Sequence, residues 1–258
     1  MNEPNTKIAA TLYSLREYCQ TEKDLDNTLK RIRGFGYEAV QISGVPLSPD
    51  KIKDITDKHG LYICASHEGL DALRNDFNSL VKKLKTWDCD FTALGFPGEA
   101  FTVEPAAAGK LIAELDGYGR RFADQGIRFG YHNHEMEFAP SGDSLFLERI
   151  YAETDKTTFF AEIDVHWVQR GGQNPAEWIR KVSGRMPVCH FKDYTIVGRE
   201  PRFCEVGEGN LNWSEIIQAC VETGVRWYVV EQDVPVENRD IFQSLEISYQ
   251  NLKKMGVK

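Results

Sequence analysis

The chain has 258 residues, of which 41% are hydrophobic and 27% are charged, the balance of a folded globular protein and not of a disordered chain. Its net charge of -8 argues against the clustered basic surface that binds nucleic-acid backbones. No run approaches the roughly 18 apolar residues that span a bilayer, and the N-terminus lacks a basic start followed by an apolar run. We therefore expect a cytoplasmic protein with neither a nucleic-acid nor a membrane partner.

Apolar runs typical of β-strands alternate about eight times with helical patterns along the chain. The predicted strands are Ile8 to Tyr13, Ala39 to Ser43, Leu61 to Ser66, Phe91 to Phe96, Ile127 to His132, Phe159 to Val165, Val188 to Lys192 and Trp227 to Glu231. Most are continuously apolar, as strands covered on both faces are. Eight such units in a chain near the roughly 250 residues of a closed α/β barrel favour that barrel over an open doubly wound sheet. The sequence predicts one α/β domain over residues 1–258, a (β/α)8 TIM barrel.

Helix start and stop signals separate these strands. Asn174-Pro175 places an N-cap residue before a proline at the first helical position, and Ser48-Pro49 repeats the pattern. A further helix is predicted after Asp71, over ALRNDFNSLVKKLKTW. Left-handed C-caps are predicted at four glycines that follow helices: Gly36, Gly60, Gly126 and Gly224.

The cysteines and the short glycine motifs exclude two kinds of site. Six cysteines are scattered singly, without a C-x-x-C pair, which argues against a zinc ribbon or a thioredoxin-like motif and predicts reduced thiols. The motifs GFG and GEG are too short to be dinucleotide or P-loop fingerprints, so no nucleotide cofactor is indicated.

Histidines gather where a TIM barrel carries its active site, at the C-terminal ends of the strands and in the loops that follow. Five of the six lie at or just beyond a predicted strand end: His67, His132, His134, His166 and His190. A single buried histidine is more often a hydrogen-bonded core residue than a ligand. The coincidence over several strands favours a shared site.

Two carboxylates interrupt runs that are otherwise apolar, Asp164 in FFAEIDVHW and Glu231 in VRWYVVEQD. A buried charge is rarely tolerated unless it is paired, hydrogen-bonded or bound to a cation. Strand alternation places His190 and Lys192 on one face, so both can point into the barrel mouth. Oxygen and imidazole ligands without a thiolate suit one divalent ion, Mn²⁺ first, with Mg²⁺, Co²⁺ or Zn²⁺ as alternatives. The competing interpretation is structural, an ion pair of Asp164 with Lys192 and of Glu231 with an arginine.

Six motifs in order resemble the sugar phosphate isomerase/epimerase family of xylose-isomerase-like barrels: LYSLR, YHNHEMEF, EIDVHW, HFKD, VGEGNLNW and VVEQD. The resemblance covers nearly the whole chain and implies one divalent ion bound by residues of strands five to eight. By position, Asp164, His190 and Glu231 match the last three ligands. For strand five we choose Glu137, with His132 or His134 as the alternatives.

This resemblance implies a metal-dependent isomerase or epimerase that acts on a sugar or ketosugar through an enediolate. Proton transfer would fall to Glu137, Glu231 and His134. Substrate oxygens would be bound by His67, His132, His166, Lys192 and Glu208. The alternatives are a dehydratase or lyase of inosose or keto-sugar type, a non-catalytic sugar-binding barrel, and an endonuclease-like phosphodiesterase, which the acidic charge disfavours. The partner is a small sugar, and the oligomeric state is left open, a homo-oligomer included.

Overall fold

The computed structural model describes residues 7–258 and contains a closed barrel of eight parallel strands. The barrel strands are β1 (Ile8–Thr11), β2 (Ala39–Ile42), β3 (Tyr62–Gly69), β4 (Phe91–Phe96), β5 (Arg128–His132), β6 (Phe159–Asp164), β7 (Val188–Phe191) and β8 (Trp227–Val230). Each strand pairs with its neighbours in chain order, and β1 closes the barrel against β8, with Ala9 opposite Val229. The predicted (β/α)8 fold is confirmed.

Helices connect the strands and cover the outside of the barrel. They are α1 (Glu22–Phe35), α2 (Pro49–Lys58), α3 (Leu70–Asn75), α4 (Phe77–Thr86), α5 (Pro105–Ala123), α6 (Phe146–Glu153), α7 (Val165–Arg170), α8 (Pro175–Lys181), α9 (Trp213–Thr223) and α10 (Ile241–Lys254). Among the residues from 7 onward, no helix is both long and apolar enough to cross a membrane. All six cysteines are free, as the sequence predicts, and all six are buried.

Local signals set the helix ends. Asn174 caps α8 by accepting hydrogen bonds from the backbone N–H groups of Ala176 and Glu177, which satisfies donors that the first helical turn leaves open. Gly36 ends α1 with a φ of 110°, in the left-handed region that a side chain disfavours, so this predicted C-cap is confirmed.

Several element bounds differ from the sequence prediction, among them that of β3, which runs on to Gly69 and so includes His67. The first strand ends at Thr11, because Leu12–Tyr18 forms a 3-10 helix that begins with a hydrogen bond from the Tyr13 N–H to the Thr11 hydroxyl. The helix predicted after Asp71 is two helices, α3 and α4, which meet at Asp76. The pair Asn75-Asp76 has low helix propensity, since short polar side chains compete for backbone hydrogen bonds.

Strand alternation divides the barrel interior into an apolar floor and a polar mouth. The floor is formed by a buried cluster that includes Phe91, Val188, Trp227 and Val229. Polar side chains follow in the same inward register towards the C-terminal ends of the strands. The floor therefore supports a polar site at the mouth, where the chemistry of this architecture lies.

Two hairpins extend from the loops at this end. Pro140–Ser141 pairs with Ser144–Leu145 after β5, and Asp193–Val197 pairs with Glu200–Cys204 after β7. The second hairpin is anchored by the Asp193 carboxylate, which accepts hydrogen bonds from the Trp213 indole and from the backbone of Gly207. This loop thereby packs back onto the barrel rim.

Candidate metal centre and active site

Four consecutive strands each bring one ligand-type side chain to the barrel mouth. His132 ends β5, Asp164 ends β6, His190 lies in β7 and Glu231 follows β8 directly. Each offers one nitrogen or oxygen atom, and these atoms all lie within 4.8 Å of one another. All four side chains are buried. The arrangement converges on one point inside the barrel.

The donors at this point fit a divalent cation. Oδ1 of Asp164 accepts hydrogen bonds from the N–H groups of His166 and Trp167, whereas Oδ2 is buried and has no hydrogen-bond partner among residues 7–258. Burial raises the pKa of Asp164 to about 7, and a bound cation would favour its charged form. Carboxylate and imidazole donors without a thiolate suit Mn²⁺, Mg²⁺, Co²⁺ or Zn²⁺.

Two cations surround the carboxylate of Glu231. Nδ1 of His190 donates to Oε2 at 2.5 Å, and Nζ of Lys192 donates to Oε1 at 3.0 Å. Lys192 also pairs with Asp233, with Nζ 2.7 Å from Oδ2. Although burial acts in the opposite direction, Lys192 and His190 hold the pKa of Glu231 well below its usual range. Glu231 is therefore a carboxylate fixed at both oxygens.

Glu162 lies one inward-facing position before Asp164 on β6 and is fully buried. Its carboxylate accepts hydrogen bonds from Nε2 of His67 at 2.5 Å and from Nε2 of Gln41 at 2.8 Å. Nδ1 of His132 is 3.4 Å from Oε2, and Nε2 of His190 is 3.6 Å from Oε1. Glu162 thus accepts two hydrogen bonds beneath the mouth, whereas these nitrogens of His132 and His190 have no hydrogen-bond partner among residues 7–258.

A cavity of about 500 Å³ opens above these residues. The side chains that line it include His67, His132, His134, Phe96, Trp167, Lys192, Glu231 and Asp233. Burial lowers the pKa of His134 to about 4, so its imidazole is neutral near pH 7 and can donate or accept a hydrogen bond. A volume of this size suits a small polar ligand.

Comparison with known proteins identifies the fold. Neither a scan against protein-family models nor a search of curated proteins found a match. Among solved structures, the chain is similar to a sugar phosphate isomerase/epimerase from Parabacteroides distasonis, with 24% identity, 99% of this chain and 96% of that chain covered, and a TM-score of 0.81. It is also similar to a xylose isomerase domain protein from Planctomyces limnophilus, with 13% identity, 98% of each chain covered and a TM-score of 0.69. The chain has the fold of the xylose-isomerase-like TIM barrels.

A third solved structure with this fold is the probable 3-DHS dehydratase AsbF from Bacillus anthracis, with 15% identity, 96% of this chain and 98% of that chain covered, and a TM-score of 0.73. The first of these three neighbours carries the family name that the six sequence motifs resemble. The xylose-isomerase-like fold thus occurs in proteins named as isomerases and as a dehydratase.

The structure does not bring Glu137 to the centre of this xylose-isomerase-like barrel. Its carboxylate accepts hydrogen bonds from the Tyr131 hydroxyl at 2.8 Å and from the His134 N–H at 2.7 Å. Two groups of side chains among residues 7–258 could hold an ion, the four named above and a second group of His67, His132, Glu162 and His190, and Glu137 belongs to neither. Strand β5 instead contributes His132, an alternative that the sequence left open. The reason is local, since the turn of 3-10 helix at Met136–Phe138 buries Glu137 beneath the loop.

Two predicted substrate ligands also lie away from the cavity. Glu208 pairs with Arg239, with Oε2 2.9 Å from Nη1, and its side chain does not line the cavity. His166 is fully buried, and its ring packs against Tyr194 and Phe203. By contrast, His67, His132, His134 and Lys192 all line the cavity.

Sequence reasoning missed Glu162, although its signal was present. Glu162 stands two residues before Asp164 in FFAEIDVHW, so strand alternation places both carboxylates on the inward face. Gln41 gave a similar signal, as the polar residue in the apolar run AVQI of β2. Buried polar residues in inward register predict hydrogen-bonded partners across the barrel, and these two side chains are such partners.

Proposed function

We propose that this protein is a divalent-metal-dependent isomerase or epimerase that acts on a sugar or ketosugar through an enediolate. The observation that carries the proposal is the convergence of His132, Asp164, His190 and Glu231 from four consecutive strands beneath a cavity at the barrel mouth. The names of two solved structures with this fold, a sugar phosphate isomerase/epimerase and a xylose isomerase domain protein, support a sugar substrate.

The four side chains of the mouth would hold the ion. Its donors would be two imidazoles and two carboxylates. These are hard and borderline ligands, which suit Mn²⁺, Mg²⁺, Co²⁺ or Zn²⁺. Once bound, such an ion supplies Lewis acidity that stabilises negative charge developing on substrate oxygens during proton removal. His132 takes the strand-five position in this proposal, in place of Glu137.

Glu231 is the proton-transfer carboxylate in this proposal. It lines the cavity, and its position is fixed by His190 on one oxygen and Lys192 on the other. Lys192 also holds Asp233, so the two carboxylates at the end of β8 are kept in register by one ammonium group. Such positioning is what general acid–base catalysis requires.

His134 and His67 complete the cavity wall around a substrate. The neutral imidazole of His134 can donate a hydrogen bond to a substrate oxygen or take up a proton. Phe96 and Trp167 flank His134, with ring centroids 5.3 Å and 5.6 Å away, and offer apolar faces to the C–H groups of a sugar ring. A polyhydroxylated ring would thus meet polar groups at its edge and aromatic groups at its face.

Two measurements test this function. Protein purified without chelator and reconstituted with Mn²⁺ should contain about one divalent ion per chain by elemental analysis. The reconstituted protein should then exchange solvent deuterium into a ketosugar, and NMR of the sugar measures this exchange. The substitution Glu231→Gln should abolish the exchange, while Glu205→Gln, a buried carboxylate away from the cavity, should leave it intact.

Each outcome bears on a separate part of the proposal. A chain that takes up no divalent ion after reconstitution would sink the metal site. Unchanged exchange in Glu231→Gln would remove Glu231 from proton transfer. Loss of a β-hydroxyl to give an enone, visible by its ultraviolet absorbance, would assign the dehydratase alternative, and tight sugar binding without exchange would assign a non-catalytic barrel.

A further inference from the structure

A second cavity lies at the opposite end of the barrel from the mouth. Its volume is about 630 Å³, and it is formed by the loops that lead into the N-terminal ends of β6 and β7. Three cations line it, Lys156, Lys181 and Arg185. Among residues 7–258 no acidic side chain lines it, although the whole chain has a net charge of -8. This N-terminal cavity is therefore a positive site in an acidic protein, and the proposed function does not use it.

Arg185 is the buried cation of the N-terminal cavity, with only 7% of its surface exposed. Its guanidinium donates to uncharged oxygens. Nε and Nη2 donate to the carbonyl of Phe159 at 3.0 and 2.7 Å, Nη1 donates to the carbonyl of Tyr151 at 3.0 Å, and Nη2 donates to the hydroxyl of Thr154 at 2.8 Å. Tyr151 lies in the last turn of α6, whose helix dipole supplies roughly half a negative charge. Part of the charge of Arg185 is left without a counter-charge.

The hydrogen bonds of Arg185 leave one donor open. A guanidinium has five N–H groups, and the four hydrogen bonds leave one N–H on Nη1 without an acceptor. Burial lowers the pKa of Arg185, because desolvation disfavours its charged form. A buried charge is normally paired, so an anion in the cavity would supply what the fold leaves out.

The acids nearest to this cavity are engaged by other groups. Oδ1 of Asp155 accepts hydrogen bonds from the backbone N–H of Thr157 at 2.8 Å and from its hydroxyl at 2.6 Å. Glu148 pairs with Lys181 on the surface. Lys156 is exposed and has no ion-pair partner in the part of the chain that the structure describes. The walls of the cavity thus carry more positive charge than their neighbours neutralise.

We propose that the N-terminal cavity binds the phosphate group of a small phosphate monoester, paired with Arg185 at its base and with Lys156 and Lys181 at its rim. A phosphate monoester carries a charge of about -1.5 to -2 at pH 7 and three acceptor oxygens, which matches several cations better than a single carboxylate does. Lysines bind phosphate as flexible point charges, so a rim of lysines suits it. The half-buried ring of Phe160 also lines the cavity and offers an apolar face to the organic part of the ester.

The test measures binding of inorganic phosphate and of phenyl phosphate by calorimetry, with a chelator present so that no metal ion at the mouth binds phosphate. Lys156→Gln removes one rim cation and should weaken binding about 5-fold, the effect of an exposed charge. Ser183→Asp adds a carboxylate to the exposed rim of the cavity and should weaken binding more than about 10-fold by like-charge repulsion. The matched controls are Lys82→Gln and Ser79→Asp, exposed on α4, which contributes no residue to this cavity, and they should match wild type.

A second readout places the anion without a substitution. In ¹H–¹⁵N spectra of wild type, added phenyl phosphate should shift the guanidinium resonances of Arg185 and the amide resonances of Ser183 and Gly184. The amide of Trp167 at the mouth should not shift. Shifts at the mouth alone would overturn the proposal, and so would an unaffected Arg185, since the rim lysines would then hold only an adventitious ion.

The affinities decide the remaining points. Phenyl phosphate should bind more tightly than inorganic phosphate, because its ring can contact Phe160. Equal affinities would assign the cavity to the free anion and overturn the monoester. Wild type that binds neither anion, or the same affinity in wild type, Lys156→Gln and Ser183→Asp, would overturn the site itself. None of these results depends on the metal centre, so the proposed function stands or falls separately.

Discussion

The carboxylate of Asp164 accepts the N–H of His166 at 2.8 Å through Oδ1, and this contact starts helix α7 directly at the end of strand β6. The same oxygen accepts the Trp167 N–H at 3.1 Å, while Oδ2 is left for another partner. One side chain therefore combines a helix cap with a candidate metal ligand.

These two roles are separable by substitution. Asp164→Asn keeps an oxygen for the cap but loses the charge, so we expect Mn²⁺ affinity to fall roughly 10-fold or more with little loss of stability in the metal-free protein. Asp164→Ala loses the cap as well, so its free energy of unfolding should be about 1 kcal/mol lower than that of Asp164→Asn. Chelator competition and urea unfolding measure the two effects. Equal metal affinity in Asn and wild type would remove Asp164 from the ligand set.

Lys192 is a buried cation that balances two carboxylates, Glu231 and Asp233. Replacing it with Met leaves both acids without their partner, so the metal-free protein should lose about 3–5 kcal/mol of its free energy of unfolding near pH 7. Added Mn²⁺ should restore part of this loss, because a bound cation replaces the missing charge. Urea unfolding in chelator and in Mn²⁺ checks both statements.

The control for this substitution is Lys181→Met. Lys181 pairs with Glu148 on the surface, where half of its side chain is exposed. Exposed ion pairs contribute little to stability, so Lys181→Met should lower the free energy of unfolding by no more than about 1 kcal/mol. If Lys192→Met lowered the free energy of unfolding no more than Lys181→Met does, Lys192 would not be needed to stabilise the buried carboxylates of Glu231 and Asp233.

Glu137 provides a pH-dependent prediction. Burial raises its pKa to about 7, above the value of about 4.3 expected in the unfolded chain. The protonated form is thus favoured in the folded state, and the stability it contributes is present at low pH and is lost as the pH rises towards 7. As the pH rises from about 4.5 to 7, the free energy of unfolding of Glu137→Gln should increase relative to that of wild type by on the order of 3 kcal/mol. Above pH 7 this difference should change little.

Urea unfolding of wild type and Glu137→Gln at intervals from pH 4.5 to 8 measures this difference. The comparison isolates Glu137, since the other titrating groups are common to both proteins. A stability difference that is constant over this range would contradict a raised pKa and would mean that Tyr131 and His134 hold Glu137 as an anion.

Some residues of the site could be placed from the sequence alone, and others could not. Asp164 and Glu231 were predicted because a charge inside an apolar run must find a partner, and the alternation of a strand fixes its face. Glu137 could not be placed the same way, since it follows the strand end and a turn of 3-10 helix decides where it points. The position of Glu208 could not be predicted for a related reason, because its partner Arg239 lies 31 residues further along the chain, in another loop. Strand register is a local property, whereas loop contacts depend on the assembled barrel.

Gly95 on β4 lies against the ring of His67 on β3. A Cβ added at Gly95 would be 2.9 Å from Cγ of His67, closer than Cβ atoms approach other atoms in proteins, and 3.0 Å from its Nδ1. Because the ring is also hydrogen-bonded to Glu162, it cannot move away without losing that contact. Gly95→Ala should therefore displace His67, with a stability cost of about 1–3 kcal/mol.

A double-mutant cycle with His67→Ala isolates this contact. In the His67→Ala background there is no ring to meet, so Gly95→Ala should cost less than about 0.5 kcal/mol, and the coupling between the two positions should reach about 1 kcal/mol or more. Solvent-deuterium exchange into a ketosugar should fall in both single variants, because each removes the His67 ring from its place in the cavity wall. Additive effects on stability would show that the barrel absorbs the extra methyl elsewhere, and that Gly95 is not what positions His67.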